Sequence, residues 1–289
     1  MSLRLKFNLV LLVALSIGYG IIGYFLWGFL EQNARDEVVA KARVMRESAL
    51  AMRSYTADEI RPLLQTISED RFLPHTVPSF AAQQNFQRVS EAFGEYSYKE
   101  AALNPTNPAD KANQWEEDII RAFREGRAGE ELITQRQTPL GQSLILAHPI
   151  QITNEACLQC HSTPDVAPPS MIDLYGEANG FGWKMDEIIG AQIVSVPMAV
   201  PLDRAKETFV VVMISLGAAF LVMLLIINML LGAVVIRPIV KLSETASEIS
   251  LGNLDAPEMT PRGGGEIASL TESFNRMRRS LENALRMIE

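Results

Sequence analysis

The sequence predicts an α+β protein held in a membrane: an outer domain built on an antiparallel sheet, two membrane helices that frame it, and a paired-helix segment at the C-terminal end. Three observations carry that prediction. Two charge-free apolar stretches, Phe7 to Leu30 and Thr208 to Ile236, are each long enough as helices to cross a hydrocarbon core of roughly 30 Å at about 1.5 Å per residue. Between them, helical periodicity precedes short runs rich in Val, Ile and Leu that cluster late, the pattern of an α+β unit rather than of alternating βαβ. After the second stretch, two apolar seams flank a Gly- and Pro-rich connector. Composition agrees: 18 glycines and 15 prolines in 289 residues are too few for a collagen-like or disordered chain, and 48% apolar residues can fill a core. A net charge of −8 offers no surface for neutralising phosphates, which argues against a nucleic-acid partner.

Taken in order, residues 1–6 carry Arg4 and Lys6 ahead of the first span, 7–30. A cleaved signal peptide is the rival reading, but the apolar part is long and no A-x-A site stands directly at its end. Arg237 and Lys241 follow the second span, 208–236, so the positive-inside rule puts both ends of the chain in the cytoplasm and residues 31–207 outside. Arg35, Lys41 and Arg43 are interspersed with Glu31, Asp36 and Glu47, a mixed surface rather than a basic flank. The expected setting is a two-pass protein of a bacterial inner membrane with its outer domain in the periplasm. Within that domain, residues 32–68, 79–93 and 113–125 read as helices. Leu132 to Arg136, Ser143 to Ile150 and Ala191 to Val196 read as strands, with Tyr98 to Leu103 a weaker fourth. Pro164, Pro168 and Pro169 read as a stiff loop.

The two cysteines of the chain fall in Cys157-Leu158-Gln159-Cys160-His161, the C-x-x-C-H pattern of covalent c-type haem attachment. Two residues between the thiols let Cys157 and Cys160 each form a thioether to one porphyrin vinyl group, and His161 is then held beneath the iron as proximal ligand. One haem c per chain is expected. A zinc site would need more donors than the isolated His75 and His148 supply, and a redox dithiol would need a thioredoxin-like βαβ pattern that is not evident. Other side chains that could reach the far side of an iron are His75, His148, Met45, Met52, Met171 and Met185. Val38, Ala42, Met45, Ala49 and Met52 recur at steps of four and three, so Met45 and Met52 lie on one apolar helix face, either packing there or meeting the iron. In Gly180-Phe181-Gly182-Trp183-Lys184, Phe181 and Trp183 come close to flexible backbone and are either a haem wall or core aromatics.

The run Tyr98 to Asn107, then Trp115-Glu116, Cys157 to His161, Gly180 to Trp183 and Gly190-Ala191 resembles the PAS-like c-type haem sensor domain, sometimes called Tll-like, over about residues 35–200. The resemblance implies a PAS-like antiparallel sheet with an N-terminal helix over the haem, and it matches Cys157, Cys160 and His161 to the attachment positions. Some members place a cysteine on that helix as second axial ligand; this chain has none there, which leaves methionine, water or an open position.

In residues 237–289, Ile239, Leu242, Ala246 and Ile249 form one seam, and Ile267, Leu270, Phe274, Met277 and Leu281 form another beyond the connector 252–265. Two helices per chain cannot bury such stripes, so a parallel homodimeric four-helix bundle is expected, with Leu254 packing from the connector. Pro238, Gly252-Asn253-Leu254 and Gly265-Glu266-Ile267 make this segment similar to the HAMP signal-relay domain, although one extra residue before Met259 leaves its seam role open. Glu266 is expected to act as a charge at a helix start.

These readings lead to a non-enzymatic membrane sensor of redox state or a diatomic gas that signals through its cytoplasmic segment to a separate kinase or chemoreceptor. A membrane-anchored monohaem electron carrier is the alternative, but it would use neither a second span nor a coiled-coil tail. A peroxidase-like enzyme would need a distal acid and base that the sequence does not display.

Overall fold

A computed structural model describes residues 3–67, 71–139, 141–253, 258–260 and 265–287. The chain divides into two compact units: Trp27–Thr208, and Met1–Leu26 together with Phe209–Glu289.

The first of these units is the α+β one. It holds the C-terminal part of helix α1 (Leu3–Tyr55), a π-helical turn at Thr56–Ile60, α2 (Arg61–Ile67) and α3 (Pro78–Ala92). Then come strand β1 (Ser97–Ala102), α4 (Gln114–Arg124), β2 (Leu132–Thr138), β3 (Gly141–Gln151), the single turn α5 (Leu158–His161), α6 (Pro169–Tyr175) and β4 (Ile188–Pro197). The four strands form one antiparallel sheet in the order β1-β4-β3-β2. The expected weak strand is thus a full edge strand, paired from Ser97↔Ser195 to Ala102↔Gly190. Gly190 is required there, because a Cβ would lie 2.3 Å from the Ala101 carbonyl oxygen.

Both faces of this sheet are covered, so its central strands are apolar on alternate residues in both directions. Leu144, Leu146, Val194, Val196 and Tyr98 face Val38, Ala42 and Ala49 of α1 and Ala82 and Phe86 of α3. Ile145, Ala147, Ala191, Ile193 and Ala101 face Ile119, Ile120 and Phe123 of α4. A capping box starts α4: Asn113 accepts from the Glu116 N–H, and the Glu116 carboxylate accepts from the Asn113 N–H. Each face also buries one carboxylate against a cation, Lys99 with Glu116 at 2.8 Å on the α4 side and Arg53 with Glu100 on the α1 side. The helix expected over 32–68 runs without interruption to Ile67, the last described residue there, and contains a π-turn. One expectation is corrected: Pro169, expected in a loop, opens α6, where its missing N–H costs nothing at a first helical position.

In the second unit, α1 and α7 (Ala199–Leu230) contain the two segments long and apolar enough to cross a membrane. Tyr19 donates to the Met213 carbonyl at 3.0 Å, and a Cβ on Gly23 would meet the Met213 side chain at 3.1 Å. Leu12, Ile17, Phe25, Ile214, Leu221 and Leu225 stay exposed, the distribution expected of side chains with lipid for solvent. A second π-turn, Leu231–Ile236, leads into α8 (Arg237–Ser250), and α9 (Glu266–Arg286) follows the connector. Leu242 and Ile249 are buried within one chain, whereas Ile239, Leu270, Met277 and Leu281 are exposed. Leu254 lies outside the described residues. Met259 is half-buried and clamped by its backbone: the Asn275 side chain accepts from its N–H at 3.3 Å and donates to its carbonyl at 2.7 Å.

Candidate functional site

The C-x-x-C-H segment is a tight helical turn with its start fixed by Asn154, whose side-chain oxygen accepts from the Ala156 N–H at 2.8 Å. A 3₁₀ turn, Glu155–Cys157, runs into α5, so Cys157 and Cys160 fall three residues apart on one helical face. Both are half-buried free thiols, and burial pushes the Cys160 thiol above the ordinary range. Two thiols on one helical face suit two bonds to one planar group.

His161 is fixed from its far side. Its Nδ1 lies 2.8 Å from the Gly180 carbonyl oxygen and 3.3 Å from the Thr106 hydroxyl. Burial lowers its pKa, partly opposed by the Gly180 carbonyl, so the neutral ring is favoured. A neutral imidazole that donates from Nδ1 to a carbonyl keeps its lone pair on Nε2, the tautomer and orientation required of a metal-ligating histidine. The ring is also stacked on Trp183, with centroids 3.9 Å apart and planes 15° from parallel.

The loop carrying Gly180 and Trp183 is zipped to the motif. The Gly182 N–H donates to the Ser162 carbonyl at 2.9 Å, and the Trp183 N–H to the His161 carbonyl at 3.2 Å. From the other side, Asn104 accepts from the Gly180 N–H and donates to the Phe181 carbonyl, each at 3.2 Å. Gly180 has φ +85°, and a Cβ there would lie 2.0 Å from the Thr106 hydroxyl oxygen, so only glycine lets Asn104 and Thr106 close on His161. Of the two aromatics singled out from sequence, Trp183 orients the histidine; Phe181 is half-buried and is held through its backbone.

The Arg53 guanidinium pairs with the buried Glu100, which also accepts from the Tyr98 hydroxyl at 2.8 Å, and Arg53 lies within electrostatic reach of Cys157. Met45 and Met52 are partly buried and pack against the α1-side core. Met171 is buried on α6, and Met185 is exposed. His75 meets the Phe80 ring edge-on at 5.4 Å, and His148 is bonded to Glu131 at 3.2 Å. Among the described residues no three His, Cys, Asp or Glu side chains converge as a metal-ion cage. The residues fit a haem instead: two thiols on one face beside a neutral histidine with a free Nε2.

Sequence patterns missed the partners of this site. Asn104, Thr106 and Gly180 stood within the matched runs but carried no role of their own. Glu100, a carboxylate in an otherwise buried strand, and Pro62, a proline within a predicted helix, were the signals for the α1 side.

A family model described as Tll0287-like matches residues 31–197. A HAMP domain model matches residues 230–283. Among solved structures, the crystal structure of the cyanobacterial heme-protein Tll0287 matches 56% of this chain and 95% of its own, at 15% identity and a TM-score of 0.43. No curated protein matches the chain.

Proposed function

The chain belongs to the Tll0287-like family through residues 31–197, followed by a HAMP domain, and from that premise we propose a two-pass inner-membrane sensor with a periplasmic c-type haem domain. The observation that carries the reading is the Gly180 carbonyl 2.8 Å from His161 Nδ1, which leaves Nε2 as a ligand one turn from two free thiols. Cys157 and Cys160 would each add S–H across a vinyl group, and His161 would hold the iron from the proximal side. A bound haem supplies the redox or gas-binding chemistry. The protein's residues do the rest: Trp183, Gly180 and Thr106 orient the imidazole, and the α1-side core keeps bulk water from its neighbourhood. Met45 and Met52 remain the proposed distal donors, against water or an open position.

Signalling requires two arrangements with different stability, not turnover, so no enzymatic step is assigned. The exposed Ile239, Leu270, Met277 and Leu281 support a homodimeric HAMP bundle in which a second copy covers these seams. The output is proposed to be a cytoplasmic kinase or chemoreceptor. The test is expression in cells competent for cytochrome c maturation. The wild-type chain should gain the mass of one haem and a Soret band, and Cys157→Ala with Cys160→Ala should gain neither. A colourless wild-type chain would sink the reading. Spectra of oxidised, reduced, CO-treated and NO-treated protein then separate redox from gas sensing.

A further inference from the structure

The π-turn at Thr56–Ile60 changes which arginines share a side. In an unbroken α-helix, eight residues advance by about 800°, leaving positions 53 and 61 about 80° apart. One π-turn adds a residue without adding rotation, so the same interval spans about 700°, and the two side chains align within about 20°. Arg53 lies within electrostatic range of Cys157, and Arg61 within range of Cys160. The packing around them is consistent. The Arg61 Nε donates to the Thr76 carbonyl at 3.1 Å, the Phe72 N–H donates to the Ser170 hydroxyl at 2.7 Å, and the Phe72 and Tyr175 rings meet edge-to-face at 6.2 Å. The loop before α3 is thereby tied to α6, the next α-helix after the motif.

The two cations differ in what they have left to give. Arg53 is neutralised by the buried Glu100. Arg61 is half-buried, bonds only a neutral carbonyl through Nε, and has no carboxylate partner among the described residues. A guanidinium offers five donors in a planar fork suited to an anion, and among the described residues the hydrogen bond of Arg61 uses Nε and not the terminal nitrogens.

We infer that Arg61 donates to an anionic group carried by the haem, either a propionate carboxylate or an anion bound at the iron, with the π-turn serving to aim it. This rests on the haem reading above.

The test compares full-length wild-type protein with Arg61→Ala, Arg61→Gln and Arg61→Lys, each checked by intact mass for one attached haem. Two readouts distinguish the sources: the propionate bending band in the resonance Raman spectrum, and the cyanide affinity of the ferric protein. If the partner is a propionate, the band moves toward weaker hydrogen bonding in the Ala and Gln variants while cyanide affinity holds. If the partner is an anion on the iron, cyanide affinity falls about tenfold or more, the loss expected for one charge-assisted hydrogen bond. The Lys variant restores part of either change. Arg61→Gln is the decisive variant should Arg61→Ala not fold, because it keeps a donor for Thr76 without the charge. With haem attached and both readouts unchanged in Arg61→Gln, the inference fails and the haem reading stands. Wild-type protein without haem overturns both.

Discussion

Two helices of this chain widen by a π-turn in the same way, and the two turns sit in different surroundings. Thr56–Ile60 and Leu231–Ile236 are the π-turns among the described residues, and each runs directly into an Arg-Pro dipeptide, Arg61-Pro62 and Arg237-Pro238. A helical proline has no N–H for the carbonyl four residues back, and its ring crowds that carbonyl. Widening the preceding turn relieves both, so the Arg61 N–H bonds to the Thr56 carbonyl and the Arg237 N–H to the Gly232 carbonyl, each five residues back. Beyond that local cause the two regions part. Arg61 is half-buried and held by the Thr76 carbonyl, whereas Arg237 is exposed at the start of α8. A dipeptide can dictate a backbone defect, while only the surroundings give it a task.

The largest expected effect comes from the arginine preceding the first turn. Arg53→Ala strands the Glu100 carboxylate in the core and should cost the outer unit about 3–5 kcal/mol. Arg237→Ala, at the second turn, should change stability by less than about 0.5 kcal/mol. Thermal unfolding of full-length protein followed by the fluorescence of Trp115 and Trp183 reads this directly. An unperturbed Arg53→Ala would show that the ion pair does not hold α1 to the sheet.

Next in size is Pro62→Ala. Without the proline the turn can close to the α form, rotating α2 by about 100° and breaking the bond from Arg61 to Thr76, for a loss of about 1 kcal/mol. Pro238→Ala should leave the outer unit's melting temperature where it was. Equal effects of the two variants would dissolve the comparison.

Asp110 lies on the same polar side as Glu100, and burial raises its pKa to about 6. A raised carboxylate stabilises the fold most below the ordinary value of 3.8, and that contribution is lost as pH rises through about 6. At pH 7 the charged group is therefore a burden. Asp110→Asn should stabilise the outer unit by about 1 kcal/mol at pH 7 and not at pH 3.5. A gain that is the same at both pH values would show that charge is not the cause.

The smallest effect belongs to His148, where burial outweighs the Glu131 partner and lowers the pKa. The folded state then binds a proton less readily than the unfolded one, so the contribution is full above pH 6.5 and lost as pH falls below it. Glu131, held below the usual carboxylate range by Arg43, weakens in the same direction under acid. His148→Gln should flatten the decline between pH 6.5 and 5 by a few tenths of a kcal/mol, as expected of a partly exposed pair. An unchanged slope would mean the pair is uncoupled from folding.

Much of this architecture was legible in the residues. Spans, strands and seams are periodic signals of many residues, and Cys157, Cys160 and His161 sit adjacent in the chain, so their chemistry survives without knowledge of the fold. The α6 helix was not legible, because three prolines in six residues read as a loop, although Pro169 can open a helix. The π-turns were not read either, although Pro62 and Pro238 announce them.

Residue order alone therefore determined which groups could staple a porphyrin, where the apolar stretches begin and end, and that a proline must disturb each of two helices. Tertiary structure alone decided that Gly180 and Thr106 meet His161 across gaps of 19 and 55 residues. It likewise decided that Arg53 meets a carboxylate, that of Glu100, whereas Arg61 meets a backbone carbonyl, that of Thr76. The reason is physical: covalent spacing and periodicity act over a few residues, whereas a hydrogen-bond partner or a burial cost is set by whichever distant segment the packed sheet brings alongside.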